Sequence, residues 1–188
     1  MRMGLDPEKI WVEIQEAPAG GQVLRPEMWE SGFLADFIMQ QHHVFVRNAI
    51  PVLQALLDRV CERHGHDTSE LLAIRDVFAD LSEELMQHMD KEELVLFPAI
   101  KRLKGKQDEH PIGRMLQAPI AAMENEHQVA GMLIKQIRSL SGNYTPPEFA
   151  CPTFRITFQR LKEFDEDLMK HIHLENNILF DRFKKTWV

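Results

Sequence analysis

The sequence is poor in the residues that several classes of protein require. Cys61 and Cys151 are its only cysteines, too few for a disulfide framework, so a reducing cytoplasm is the simplest expectation. No apolar run approaches the ~20 residues that span a membrane, and the first ten residues lack the apolar core of a signal peptide. Basic residues are outnumbered, with 22 Lys and Arg against 29 Asp and Glu and a net charge of −7. We therefore expect neither a membrane nor a nucleic acid as a partner, since phosphate binding needs a basic face.

What the sequence does contain is one histidine–glutamate motif in two copies. The copies read HMDKEELVLF from residue 88 and HIHLENNILF from residue 171, with His, Glu, Leu and Phe at the same offsets. A histidine also precedes each copy at nearly the same distance, His43 at 45 residues (88 − 43) and His127 at 44 (171 − 127). Repetition of metal-ligand residue types is hard to explain as surface decoration, and it indicates two halves that contribute to one site.

Apolar residues recur at intervals of three and four, which is typical of helices in a bundle. Pro51 should kink or split the first helix, and Asp67 with Glu70 resembles a capping box for the second. Residues 1–29 are expected to form an irregular arm that packs on a domain of residues 30–188. The predicted helices are 31–64, 68–103, one that begins near 117–119 and ends before the loop at 141–149, and 152–184.

Long helices with mostly short turns favour an all-α, up-down-up-down antiparallel four-helix bundle. In such a bundle His43 and His88 each lie ~33 Å from the first turn, at ~1.5 Å per residue. His88 and His127 lie ~24 and ~21 Å from the second turn. These matched distances predict one height for the three histidines, whereas the long third loop makes the same test inconclusive for His171.

Residues four apart share one face of a helix, so each motif offers an imidazole and a carboxylate to the same point. Two facing buried carboxylates are costly unless a cation lies between them. Nitrogen and oxygen donors without thiolate suit iron, manganese or zinc. The two-fold repeat suggests two metal ions, with each glutamate bridging both. The candidate ligands are His43, His88, Glu92, His127, His171 and Glu175.

Other readings of these residues remain open at this point. The six candidates are either metal ligands or core histidines whose hydrogen bonds are satisfied by glutamates. Only the repeat spacing separates His43 from its neighbour His42. Glu84 and Glu126 are either partners of the ligand histidines or surface acids, and His64 is either a helix-end histidine or part of a supplementary site.

Residues 31–184 resemble a hemerythrin-type (HHE cation-binding) domain, because histidine comes first at spacing four, whereas ferritin-like diiron proteins use Glu-x-x-His. Within that group the chain is most similar to the repair-of-iron-centres proteins. Those proteins usually carry a small N-terminal domain with paired cysteines, and the first thirty residues here contain none. The matching strings are HH at 42–43, IP at 50–51, HMDKEELVLFP at 88–98, ENEH at 124–127, TPPEFAC at 145–151 and HIHLENNILF at 171–180.

The resemblance implies a cytoplasmic protein with two iron ions (Fe²⁺/Fe³⁺), joined by an oxo or hydroxo bridge and held by the same six residues. It implies a role in nitrosative and oxidative stress, through reaction with nitric oxide or oxygen species or through iron donation to apo iron–sulfur proteins. A reversible dioxygen carrier or sensor and an iron reservoir are the alternatives. Oxygen-carrying hemerythrins have a further histidine where this chain has Gly131. Whether the protein is an enzyme, and its oligomeric state, stay open.

Overall fold

The computed structural model describes residues 25–103 and 115–184, and within these ranges it contains helices and turns but no strand. Four long helices carry the fold, preceded by a short 3₁₀ turn at Pro26–Met28. No helix in the described part is both long enough and apolar enough to cross a membrane. The long helices are α1 at 31–64, α2 at 70–102, α3 at Gln117–Leu140 and α4 at 152–184, the last with a single turn residue at 180.

The helix positions agree with the sequence pattern, apart from two local features. α2 begins at Glu70 with Ser69 as its N-cap and no capping side chain, so the predicted capping box at Asp67 is wrong. Pro51 does not split α1, which is continuous over Val44–His64. Pro51 is exposed, so a carbonyl that loses its intrahelical partner there is accessible to water. The predicted arm falls mostly on residues 1–24, outside the described residues.

Three of the four helices widen into a π-helical turn where they carry the histidine–glutamate residues. A π turn accommodates one more residue than an α turn, and such turns are frequent at functional sites. α3, which holds the remaining histidine, is α-helical throughout. The π turns are Met39–His43 in α1, Glu92–Leu96 in α2 and Glu175–Leu179 in α4.

The helices pack most extensively as α2 with α3, α1 with α4, and α1 with α2, and the start of α1 lies against the ends of α2 and α4. Two separate hydrophobic clusters result. The larger contains Leu57, Phe78, Ile134 and Phe164, and the smaller contains Leu34, Phe97, Ile120 and Phe180. In α1 and α3 the candidate histidine falls between the stretches that build these two clusters, and in α2 and α4 the candidate ligands lie where one stretch gives way to the other. The site is therefore a polar layer between two apolar ones.

A partly buried ion pair fixes the α3–α4 loop to the bundle. The Asp165 carboxylate of α4 accepts hydrogen bonds from the Arg138 guanidinium at 2.7–2.9 Å and from the Tyr144 hydroxyl at 2.8 Å. Burial, followed by the Asp165 carboxylate, raises the pKa of Tyr144, so the phenol remains a donor. The loop turns through three left-handed residues, Gly142, Asn143 and Tyr144.

Candidate metal centre

The six candidate ligands meet in the polar layer, and each is at most 4% exposed. Their ligand atoms form two clusters, within each of which all atoms lie within 4.8 Å of one another. Both clusters contain the same two glutamates. The clusters are His43, Glu92, His171 and Glu175, and His88, Glu92, His127 and Glu175.

The first cluster joins α1 to α4 and α2. Nε2 of His43 lies 3.2 Å from Nε2 of His171 and 3.4 Å from Oε2 of Glu92. Nε2 of His171 lies 3.0 Å from Oε1 of Glu175, one helical turn further along α4. Two imidazole nitrogens and two carboxylates thus point at one small volume.

The second cluster joins α2 to α3 and α4. Nε2 of His88 lies 2.9 Å from Nε2 of His127 and 3.3 Å from Oε2 of Glu92. Nε2 of His127 lies 3.1 Å from Oε2 of Glu175. Glu175 therefore presents one oxygen to each cluster, and Glu92 presents the same oxygen to both.

The carboxylates of this layer lack the hydrogen bonds that buried acids normally have. Within 25–103 and 115–184, no group donates a hydrogen bond to either oxygen of Glu92 or of Glu175. The imidazole nitrogens stand only 3.0–3.9 Å away, but their N–H groups are not aligned with the oxygens. Carboxylate oxygens that converge on imidazole nitrogens without accepting hydrogen bonds from them fit a set of donors arranged around cations, and nitrogen with carboxylate oxygen suits iron, manganese or zinc.

The charges of the layer agree with that fit. Burial would lower the pKa of His43, but the carboxylates of Glu175 and Glu92 outweigh burial and raise it to about 10. Burial is likewise outweighed at His88, where Glu92 raises the pKa to about 9. Burial would raise the pKa of Glu175, and the imidazoles, with His171 first, hold it well below its ordinary range. Protons on imidazoles thus balance the two carboxylates, and metal cations binding there would replace those protons.

Three of the four imidazoles are oriented from outside the clusters through their other ring nitrogen. An Nδ1–H donated to a fixed acceptor sets the ring's direction and makes Nε2 a stronger donor to a metal. The contacts are His43 Nδ1 with Oε1 of Glu93 at 2.8 Å, His88 Nδ1 with Oε2 of Glu126 at 2.9 Å, and His127 Nδ1 with Oδ1 of Asn176 at 2.8 Å.

Two of these acceptors are themselves anchored by cations at the surface. Arg47 donates to Glu93 at 3.2 Å and to the exposed Asp90 at 2.7 Å. Lys91 donates to Glu126 at 2.5 Å. Burial is outweighed by Lys91 and the neighbouring imidazole, which lower the pKa of Glu126, so this acceptor stays ionised.

The fourth histidine, His171, lacks such an acceptor among the described residues, where its buried Nδ1 has no hydrogen-bond partner. Beside it His42 stacks ring on ring, with centroids 5.7 Å apart and planes within 9°. Nδ1 of His42 hydrogen-bonds to Oδ1 of Asp167 at 3.0 Å. His42 is thus a neighbour of the clusters, and His43 is the residue that joins them.

The phenylalanines of the two motifs close the site. Phe97 stacks on His43 with centroids 5.7 Å apart, and Phe180 stacks on His127 at 6.1 Å. Both rings are fully buried. The Phe in each copy of the motif therefore serves to hold an imidazole of another helix and to exclude water from its face.

Of the three further candidates, the structure brings only Glu126 to the site. Glu84 is exposed on α2, and neither cluster includes it. His64 lies near the far end of α1, 3.3 Å from Sγ of Cys151, and 21 residues (64 − 43) from His43 or ~32 Å. Glu84 and His64 therefore do not support the ligands. Glu93 and Asn176 do, and the signal for them was available: each directly follows the glutamate of its motif.

Comparison with known proteins agrees with this description. A family model described as "Hemerythrin HHE cation binding domain" matches residues 34–183. Among curated relatives, the chain is similar to the iron-sulfur cluster repair protein YtfE of Yersinia pseudotuberculosis serotype IB (strain PB1/+) and of Yersinia pestis (strain Pestoides F). Each is 39% identical over 149 residues, covering 79% of this chain and 64% of the relative. The match therefore spans a little less than two thirds of these relatives' length.

Proposed function

This chain belongs to the hemerythrin HHE cation-binding family, and on that premise we propose that it is a non-haem diiron protein of the response to nitrosative or oxidative stress. The proposed ligands are the six buried residues of the polar layer, with an oxo or hydroxo bridge between the two irons. The helices are proposed to run up-down-up-down within a domain of residues 30–188. Residues 1–29 are proposed to form an arm that packs on this domain.

One observation carries the diiron proposal, namely that Glu92 and Glu175 belong to both ligand clusters. Each cluster supplies two imidazole nitrogens, and the glutamates supply the oxygens between them. Four carboxylate oxygens with no hydrogen-bond donor in the described ranges would be costly without cations. A single ion would leave one pair of imidazoles unused, so two ions match the donors better.

The residues around the proposed metals bind, orient and exclude water. Glu93, Glu126 and Asn176 hold three imidazoles with Nε2 inward. Phe97 and Phe180 cover two imidazole faces, keeping the centre in a low-dielectric environment. Two neighbouring ferrous ions would supply electrons to a diatomic molecule such as nitric oxide or dioxygen.

Iron donation to damaged iron–sulfur clusters is the form of this role that the relatives favour, since they are named iron-sulfur cluster repair proteins. Apo iron–sulfur proteins would then be the partners. Because the match covers 64% of each relative, this activity is proposed for the present chain as something to be measured. A dioxygen carrier is supported less, because Gly131 stands where the oxygen carriers have their additional histidine.

The first experiment measures iron per chain and the visible spectrum of protein produced with iron available. About two irons with the charge-transfer absorption of an oxygen-bridged ferric pair are expected. Zinc alone, or no metal, would overturn the diiron proposal. A second experiment then separates the roles. Iron transfer to an apo-cluster protein, or consumption of nitric oxide with reductant, supports the stress role, whereas a reversible spectral change with oxygen supports a carrier. Iron that a mild chelator removes from a protein showing none of these activities indicates a reservoir.

A further inference from the structure

The two proposed metal positions are related by the internal repeat, but their surroundings differ. Residues 83 positions apart correspond in the motifs, so Glu93 corresponds to Asn176 and Phe97 to Phe180. Residues 84 positions apart correspond in α1 and α3, so His42 corresponds to Glu126. The first half thus supplies a carboxylate, Glu93, and an imidazole, His42, around the ligands, and the second half supplies an amide, Asn176, and a carboxylate, Glu126, at the same places.

This difference leaves the two positions unequally supported. At the position of His88 and His127, both imidazoles donate Nδ1–H to a side chain, at 2.9 and 2.8 Å. At the position of His43 and His171, only His43 does so, at 2.8 Å. For His171, no acceptor of its Nδ1–H exists in the part of the chain that the structure describes. Loss of such a contact typically costs 10–100-fold in metal affinity.

One carboxylate close to His171 along α4, that of Asp167, is bound to His42 instead. Asp167 precedes His171 by one helical turn, on the same face of α4. Its Oδ1 is bound to Nδ1 of His42 at 3.0 Å, and its Oδ2 is buried without a hydrogen-bond partner in the described residues. His42 stands where the other half has Glu126. It stacks on His171 without accepting from it, and it binds Asp167.

The same position also adjoins a surface cavity. The cavity has a volume of about 660 Å³, and His42, Asp167, Lys170 and His173 are among the residues that line it. The ring of His42 therefore lies between His171 and this cavity. A chelator in this cavity would meet His42 before it meets His171.

From these two differences we propose that the metal ion held by His43 and His171 is the exchangeable one, and that the ion held by His88 and His127 is retained. The inference rests on the proposed function, because it presupposes two bound ions. It specifies which ion would be donated: one ion per chain is released beside His42 and Asp167, and the second ion stays bound and keeps the site assembled.

The test is the rate at which a chromogenic ferrous chelator removes iron from the di-ferrous protein without oxygen. We expect two phases of about one ion each, separated by tenfold or more. Asn176→Leu removes the acceptor from His127 and should accelerate the slow phase about tenfold, leaving the fast phase unchanged. Asn176→Asp keeps the acceptor and should leave the slow phase as slow or slower. Asn177→Leu, at an exposed neighbouring amide, is the matched control.

A second variant tests whether adding an acceptor for His171 slows the fast phase. His42→Gln places an amide oxygen within reach of His171, as Glu126 does for His88, and still donates to Asp167. It should slow the fast phase and spare the slow one. Release of both ions in one phase from the wild-type protein, or an effect of Asn176→Leu on the fast phase, would overturn the inference and leave the diiron proposal intact. Loading with fewer than two ions would overturn both.

Discussion

Nε2 of His88 and Nε2 of His127 lie 2.9 Å apart although the two residues belong to different helices. Two nitrogens bound side by side to one octahedral ion, with bonds of about 2.1 Å, would be separated by about 3 Å. The pair is therefore already spaced for a shared metal. In the absence of metal, one proton must lie between the two rings, and a metal would exchange with it.

Removing a shared carboxylate should affect both metal positions together. Glu92→Ala is expected to lower bound iron well below two per chain. It should also lower the melting temperature of the iron-loaded protein, because bound metal stabilises the folded state by about 2.7 kcal/mol at 100 times its Kd. Metal analysis and thermal denaturation, with and without chelator, measure this. Glu84→Ala, at an exposed residue of the same helix, should change neither, and full iron occupancy in Glu92→Ala would refute the ligand assignment.

The role of Glu93 as the acceptor of His43 can be tested by comparison with Asp90, a neighbouring acid that also binds Arg47. Glu93 and Asp90 both accept from Arg47, but only Glu93 also contacts His43, at 2.8 Å. Glu93→Leu, which removes the acceptor, should weaken iron binding by about tenfold, measured by competition with a chelator of known affinity. Asp90→Leu, which removes only the other acceptor of Arg47, should leave the affinity unchanged. Equal effects of the two substitutions would mean that Arg47, and not the contact to His43, is what matters.

The Asp165 ion pair should contribute to stability without contributing to metal binding. Asp165→Ala leaves Arg138 and Tyr144 without their acceptor and is expected to destabilise the fold by about 2 kcal/mol, less than for a fully buried pair because the Arg138 side chain is 42% exposed. Tyr144→Phe should cost about 1 kcal/mol. Urea denaturation gives both values. Iron content should stay at the wild-type level, and Glu166→Ala, at an exposed neighbour, should have little effect.

Cys151 should react as a thiolate near neutral pH. The backbone N–H of Phe154 at the start of α4, followed by His64, lowers the pKa of Cys151 to about 7. A lowered pKa means that the thiolate fraction rises with pH and is half-maximal near 7. The rate of alkylation by iodoacetamide should therefore rise through pH 7 and level off about one pH unit above it. Peptide mapping by mass spectrometry follows each thiol separately.

Two controls accompany that measurement. Burial raises the pKa of Cys61, so this thiol should stay slow over the same pH range. His64→Ala should move the midpoint of Cys151 upward, towards the ~8.5 of an ordinary cysteine. An unchanged midpoint in His64→Ala would show that the helix start alone sets the pKa of Cys151.

The sequence was informative about the site because the site is built by repetition. Equal intervals between histidines predict equal heights on packed helices, and the i, i+4 spacing places histidine and glutamate on one face. These two rules account for the meeting of all six side chains. They do not predict the π turns, because one extra residue lengthens a single apolar interval by one, and the intervals in these helices already vary between three and four residues. The structure shows these turns at residues 39, 92 and 175 onward.

The contacts around the ligands were harder to predict for a related reason. Glu84 and Glu126 look alike in sequence, each an acid close to a ligand histidine. Which of them faces the neighbouring helix depends on how α2 and α3 pack. Glu126 lies in that interface and reaches His88, whereas Glu84 points to solvent. Asn176 is a weaker candidate in the sequence than either acid, because its amide carries no charge.

The polar layer that divides the hydrophobic core has a consequence for the order in which parts of the protein unfold. The smaller apolar cluster is built from short helical stretches such as Ser31–Ile38, Phe97–Arg102 and Asp181–Lys184, whereas the larger contains the long ones. Apolar contact is interrupted between them, so loss of the metal would leave the smaller end able to open by itself. In hydrogen exchange, amides of these short stretches would lose protection in the metal-free protein well before those of the long helices. The metal centre would then join two ends of the bundle that, without it, unfold separately.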